Sequence, residues 1–179
     1  MREIYRTDLQ AYNEGHLVGK WVRLPLIPFE LSQALSEVLT EGEHECSSSN
    51  HEEYFITDYD WLEGEELFGV DEYENIHELN KKLQTIEEQA PDKHKVIGFL
   101  LRENLAKDLE DAIAKVDDVI VHENQTMSDI AYDLLQELYD VESLPSIINN
   151  HIDYEGIARD LEMDGNYFSV SSDVYEYVG

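Results

Sequence analysis

The chain has 179 residues, of which 41 are Asp or Glu and 12 are Lys or Arg, giving a formal net charge of −29 at pH 7. Duplex DNA carries one negative charge per ~1.7 Å of axis, so this charge equals the phosphates of about 15 base pairs; such a chain repels nucleic acid and anionic membranes and suits a basic partner, a DNA-binding protein above all. With 42% hydrophobic and 10% aromatic residues it still has the apolar area for a folded core, which excludes a disordered acidic tail.

In chain order, Ile4–Asp8 reads as a strand, Asn13-Glu14-Gly15 as a turn and Leu17–Leu24 as a second strand. Pro28 suits the first turn of a helix whose apolar residues Leu31, Leu35, Val38 and Leu39 keep helical spacing. The polar stretch Gly42–Asn50 reads as a loop, and the aromatic and β-branched run Tyr54–Tyr59 as a third strand. A three-stranded antiparallel sheet with one helix is the simplest assembly of these elements.

The middle of the chain reads as helical. Asn75 is an N-cap with Glu78 three residues on, Ile76, Leu79, Leu83 and Ile86 share one face, and Pro91 closes that helix. A second helical run covers Val96–Leu101, and Leu105, Leu109, Ile113 and Val116 mark a third. Beyond it come a strand at Val119–His122, helices over Ser128–Tyr139 and Asp153–Glu162, a short helix opened by Pro145, and a hairpin from Tyr167–Val170 to Val174–Val178. The expected fold class is α+β, a chain of three small domains: an antiparallel sheet plus helix over 1–61, a helical bundle over 62–105, and mixed helices with a small sheet over 106–179.

Every third of the chain has an excess of acids, so the charge is a surface property and not that of a tail. Between Arg23 and Lys81 there is no Lys or Arg, and after Lys115 the only one is Arg159, so most carboxylates lack the cations that usually lace a surface. The sharpest local signal is Asp129, Asp133 and Glu137 at i+4 spacing with Asp140 close behind, a row of like charges that costs a few tenths of a kcal/mol per pair. The other face of that helix offers Ile130, Leu134, Leu135 and Leu138.

The sequence carries no complete motif for site chemistry. Asp160-x-Glu162-x-Asp164-Gly165 begins like a calcium loop, but Ser171 stands where a bidentate Glu is needed. Asp58-x-Asp60 continues with Leu62 and Glu63 in place of a ligand and a glycine. Four His-Glu pairs, at His44, His51, His77 and His122, are followed at i+4 by Ser48, Phe55, Lys81 and Thr126, so no H-E-x-x-H motif forms. No G-x-S-x-G, P-loop or G-x-G-x-x-G is present, and no enzyme, cofactor or metal is expected. The lone cysteine, Cys46, cannot form an intramolecular disulfide, and no apolar run approaches the ~18 residues of a membrane span. A cytoplasmic protein with no membrane partner is expected.

The opening Ile4-Tyr5 through Asp8-Leu9, then Ala11-Tyr12-Asn13-Glu14-Gly15-His16-Leu17-Val18-Gly19-Lys20-Trp21, resembles the N-terminal pattern of ArdA-type antirestriction proteins. So do Glu53-Tyr54-Phe55-Ile56-Thr57-Asp58-Tyr59-Asp60 and Ile152-Asp153-Tyr154-Glu155-Gly156-Ile157-Ala158-Arg159-Asp160-Leu161. The resemblance implies an elongated homodimer of three-domain subunits, carried by mobile genetic elements, whose carboxylates imitate bent B-form DNA. Such a DNA mimic occupies the DNA-binding groove of type I restriction-modification enzymes in the cytoplasm of the bacterial host, without chemistry. Gly15, Gly19, Trp21 and Arg159, within the signature runs, are expected to determine the fold. On this reading the acidic surface includes Glu63, Glu65, Glu66, Asp71, Glu72, Glu74, Asp117, Asp118, Asp129, Asp133, Glu137 and Asp140. Met127, Ile130 and Leu134 are the expected dimer contact, in residues 106–179. Two other classes compete: an acidic adaptor that binds a basic protein without imitating a duplex, and a cytosolic enzyme with a solvated acidic surface.

Overall fold

Residues 2–46, 50–62 and 65–179 are described by a computed structural model of the chain. The fold is α+β, and it divides into two compact units, residues 1–114 and 115–179. The loop expected over Gly42–Asn50 lies partly outside the described residues, at Ser47–Ser49.

In unit 1, β1 (Glu3–Asp8) is the central strand of an antiparallel sheet, flanked by β2 (Gly19–Arg23) and β3 (Tyr54–Asp60). Between β1 and β2 the expected turn is the end of a short helix, α1 (Leu9–Asn13), that sequence periodicity is too brief to reveal. Asp8 starts it by accepting a bond from Ala11 N at 2.8 Å, and Gly15, at φ +89°, ends it by taking the left-handed conformation that a side chain disfavours. Bonds from His16 N to Ala11 O and from Gly15 N to Tyr12 O complete the cap. Gly19 is needed for space, since a Cβ there would stand 2.6 Å from the Arg6 carbonyl oxygen. Trp21, expected to determine the fold, stays half-exposed and packs edge-on to Tyr5 at 5.3 Å, not in the core.

The helix α2 (Pro28–Glu45) covers this sheet and buries Leu31, Leu35 and Val38 as the spacing predicts. It runs on through Gly42 instead of stopping there. That glycine is buried where a Cβ would fall 2.1 Å from Asp8 Oδ2 and 2.8 Å from His51 Nδ1, so it serves close packing and not helix termination. The buried Arg6 guanidinium reaches the Ala34 and Leu35 carbonyls at 3.3 and 3.2 Å and lies 3.7 Å above the Tyr54 ring. Desolvation lowers its pKa to about 10 against the opposing pull of Tyr54 and Asp8.

Next come α3 (Ile76–Glu87) and α4 (Pro91–Arg102), which pack on each other. Asn75 caps α3 through bonds from His77 N and Glu78 N, and Leu79, Leu83 and Ile86 are fully buried, as their spacing predicts. Asn104 at φ 57° closes α4 with bonds from Leu105 N and Asn104 N to Leu100 O and Leu101 O. That cap consumes Leu105, and Asp108 restarts the chain by accepting from Asp111 N at 2.8 Å, so the third helix, α5 (Leu109–Lys115), begins later than expected.

The sheet and these helices belong to one unit because polar side chains bridge them. Asn80 and Gln84 of α3 bond both backbone groups of Leu26, and Arg2 reaches Glu65, Glu87 and His94. The boundary expected at residue 61 therefore falls inside unit 1, and the one expected at 105 lies short of the Ala114/Lys115 division.

Unit 2 opens on β4 (Val119–His122), followed by α6 (Met127–Leu138), α7 (Ser146–Asn149), α8 (Tyr154–Met163), β5 (Tyr167–Val170) and β6 (Asp173–Tyr177). The strands form an antiparallel sheet in the order β4-β6-β5. Its core joins Met127, Ile130 and Ala131 of α6 to Ala158 of α8 and Val174 of β6, with Ile157, Leu161 and Tyr167 packed around them.

Candidate anionic surface

The expected acids fall into groups of different character. In unit 1 the stretch from Glu65 onward is laid down by its apolar residues: Leu67 is fully buried, Trp61 donates to the Phe68 carbonyl at 2.8 Å, and Gly98 of α4 leaves room where a Cβ would sit 2.9 Å from Leu67 Cα. Ile56 N bonds Glu72 O at 2.8 Å and pins the following turn beside β3. Asp71 and Glu72 are exposed and make no ion pair among the described residues. Glu66 is exposed too, but Arg102 bonds its backbone carbonyl and stands 3.4 Å from its carboxylate.

Two acids of this group are committed to the fold. Glu65, with its side chain 13% exposed, accepts two bonds from the buried Arg2 and lies 3.2 Å from His94 Nδ1, and Glu74 holds Lys82 at 2.7 Å. Their charges are largely compensated. Glu63 lies outside the described residues.

Unit 2 concentrates uncompensated charge, because Lys115 and Arg159 are its only Lys or Arg residues. Arg159, mostly exposed, is 4.0 Å from Asp153, a loose neutralisation of a single carboxylate. Asp129, Asp133 and Glu137 stand exposed along α6 and Asp140 just beyond it. Asp129 also caps the helix: it accepts from Thr126 Oγ1 and N at 2.7 and 2.8 Å, and these bonds hold its carboxyl below the ordinary value. Asp133 accepts from Gln125 Nε2 at 2.9 Å, and Glu137 and Asp140 make no ion pair among the described residues. Asp117 is exposed and Asp118 half-buried in the turn before β4, where the Asp118 carbonyl takes a bond from Val178 N. Packed beside α6, α8 adds exposed Glu155, Asp160 and Glu162.

The expected dimer contact is split by this packing. Met127 and Ile130, 7% and 5% exposed, face the unit's own core and are not surface residues, because α6 needs that face to hold α8. Leu134 is only partly buried, and the chain beyond it leaves Leu138 and Tyr139 about three-fifths uncovered, at 61% and 62%.

Among the described residues, no three His, Cys, Asp or Glu side chains gather as metal ligands, and no helix is long and apolar enough to cross a membrane. Cys46 is buried, and burial raises its thiol pKa. The buried Asp8–His51 pair, 2.6 Å apart, caps α1 and packs on Gly42, which gives it a structural task.

A search of the curated proteins finds no match to this chain. The protein-family comparison does: the family described as Antirestriction protein (ArdA) matches residues 4–176, so the match extends over both units and the chain belongs to the ArdA antirestriction protein family.

Proposed function

We propose that this protein inhibits type I restriction-modification enzymes by mimicking bent B-form DNA and competing for their DNA-binding groove. The observation that carries the reading is the row Asp129, Asp133, Glu137 along α6, exposed in a unit with two cations. Carboxylates four residues apart rise about 6 Å along a helix, whereas one DNA strand presents a phosphate every ~3.4 Å. One helical row thus supplies roughly half the charge density of one strand, and mimicry calls for a second row beside it. The exposed acids of α8, packed on α6, are the available second row.

The physical advantage is preorganisation. A groove that binds bent DNA must bear the cost of deforming it, of order 1–6 kcal/mol for a site of 20–30 base pairs. A folded polypeptide meets the same cations already shaped. Because charge and not base edges is presented, inhibition does not depend on the enzyme's recognition sequence. We also propose a homodimer joined through Leu134, Leu138 and Tyr139, which doubles the anionic length.

The test is a DNA-cleavage assay with a type I enzyme and increasing amounts of this protein, run with targets of different sequence. Mimicry predicts inhibition that is relieved by added unspecific duplex and is equal across targets. Inhibition that persists while DNA stays bound to the enzyme favours an acidic adaptor and overturns the proposal.

A further inference from the structure

The outer edge of β3 borders an open cleft within unit 1. Its widest stretch encloses about 470 Å³ between residues 52–56 and 72–77, and two adjoining stretches of about 450 Å³ each carry it along α1 and along the rest of β3. Three aromatic rings form a continuous wall: Tyr12 meets Phe55 edge-on at 5.4 Å, and Phe55 stacks on Tyr73 at 6.3 Å with 25° between planes. Glu52, Glu53 and Glu72 stand on its rim, and no Lys or Arg lines any of the three stretches. Although Phe55 is buried, Tyr73 and Tyr12 keep 70% and 51% of their surface in solvent. Two large rings beside uncompensated carboxylates form a surface that is apolar on its wall and anionic at its lip.

We infer that this cleft docks arginine side chains from a segment of a protein partner. The inference rests on the proposed inhibition of a basic enzyme and adds the contact chemistry. A guanidinium is flat and weakly hydrated, so it stacks on an aromatic face while its edge donates in a fork to carboxylates; a lysine ammonium does neither as well. The chain already uses such stacking internally, with the Arg6 guanidinium of β1 3.7 Å above the ring of Tyr54 in β3, the strand that borders the cleft. The cleft offers the complementary half, with rings and acids in place and the cation to come from outside.

The experiment is a calorimetric titration of the whole protein, at about 0.15 M salt to suppress long-range attraction, with a capped peptide alternating Arg and Ala and a matched Lys-Ala peptide. The Arg peptide binds at least about threefold tighter than the Lys peptide, and Tyr73→Ala lowers its affinity about fivefold. Tyr12→Ser acts in the same direction, whereas Gln33→Ala, at an exposed position of α2, leaves the affinity unchanged. Equal binding of the two peptides, no binding of either, or indifference to both tyrosine substitutions overturns the inference. Inhibition of DNA cleavage by the unmodified protein is measured in parallel. Lost peptide discrimination with intact inhibition removes the arginine cleft and leaves duplex mimicry standing, while absent inhibition removes the mimicry itself.

Discussion

Arg2 and Glu65 meet across 63 residues of sequence in a two-pronged ion pair, Nε to Oε2 at 2.8 Å and Nη2 to Oε1 at 2.9 Å, with the arginine side chain only 3% exposed. The same guanidinium reaches Glu87 at 3.1 Å and His94 at 2.9 Å. In so acidic a chain, a carboxylate here is a fastener and not part of the anionic field. Glu65→Gln leaves a buried cation underpaired and lowers stability by about 3 kcal/mol in urea unfolding. Glu137→Gln, at an exposed site without an ion pair, changes it by less than about 0.5 kcal/mol.

Gly42→Ala normally favours a helix interior by up to about 1 kcal/mol. Here the added Cβ meets Asp8 Oδ2 and His51 Nδ1, both held by other bonds, so the variant loses about 2 kcal/mol instead. Thermal unfolding compared with the parent protein gives the sign directly.

The cap on α6 predicts a pH dependence. Bonds from Thr126 lower the Asp129 pKa below 3.8, so the folded state releases that proton more readily than the unfolded chain. The resulting stability is fully present above pH 3.8 and is lost as the pH falls through the depressed folded value. Asp129→Asn is therefore less stable than the parent protein at neutral pH, and the gap closes in acid; Thr126→Ala costs about 1 kcal/mol at neutral pH.

Leu134→Lys combined with Leu138→Lys puts charge where the proposed homodimer buries apolar surface, and by two-fold symmetry each substitution acts twice. Sedimentation should find the double variant monomeric. A fully dimeric variant places the contact elsewhere.

Where local chemistry decides, the sequence was legible. The Asn75 cap with its i+3/i+4 run predicts α3, the aromatic and β-branched run predicts β3, and the acid row on α6 stands where its spacing puts it. What escaped depends on partners distant in sequence. Nothing near Glu65 announces Arg2, so it looked like any other acid of its cluster. Gly42 reads as a breaker until Asp8 and His51 are seen against it. Met127 and Ile130 form an apolar face that one helix cannot assign to a core or to a subunit contact; the packing of α8 assigns it. The aromatic wall beside β3 draws on Tyr12, Phe55 and Tyr73, which only the folded turns bring together.

The most direct test of duplex mimicry is displacement of a fluorescent DNA duplex from a type I enzyme, with Asp133→Asn, Glu137→Gln and Asp140→Asn combined as the comparison. The account predicts full displacement by the parent protein, an affinity that falls at least tenfold between about 50 and 200 mM salt, and much weaker displacement by the neutralised variant. A stable complex holding enzyme, duplex and this protein together would contradict it.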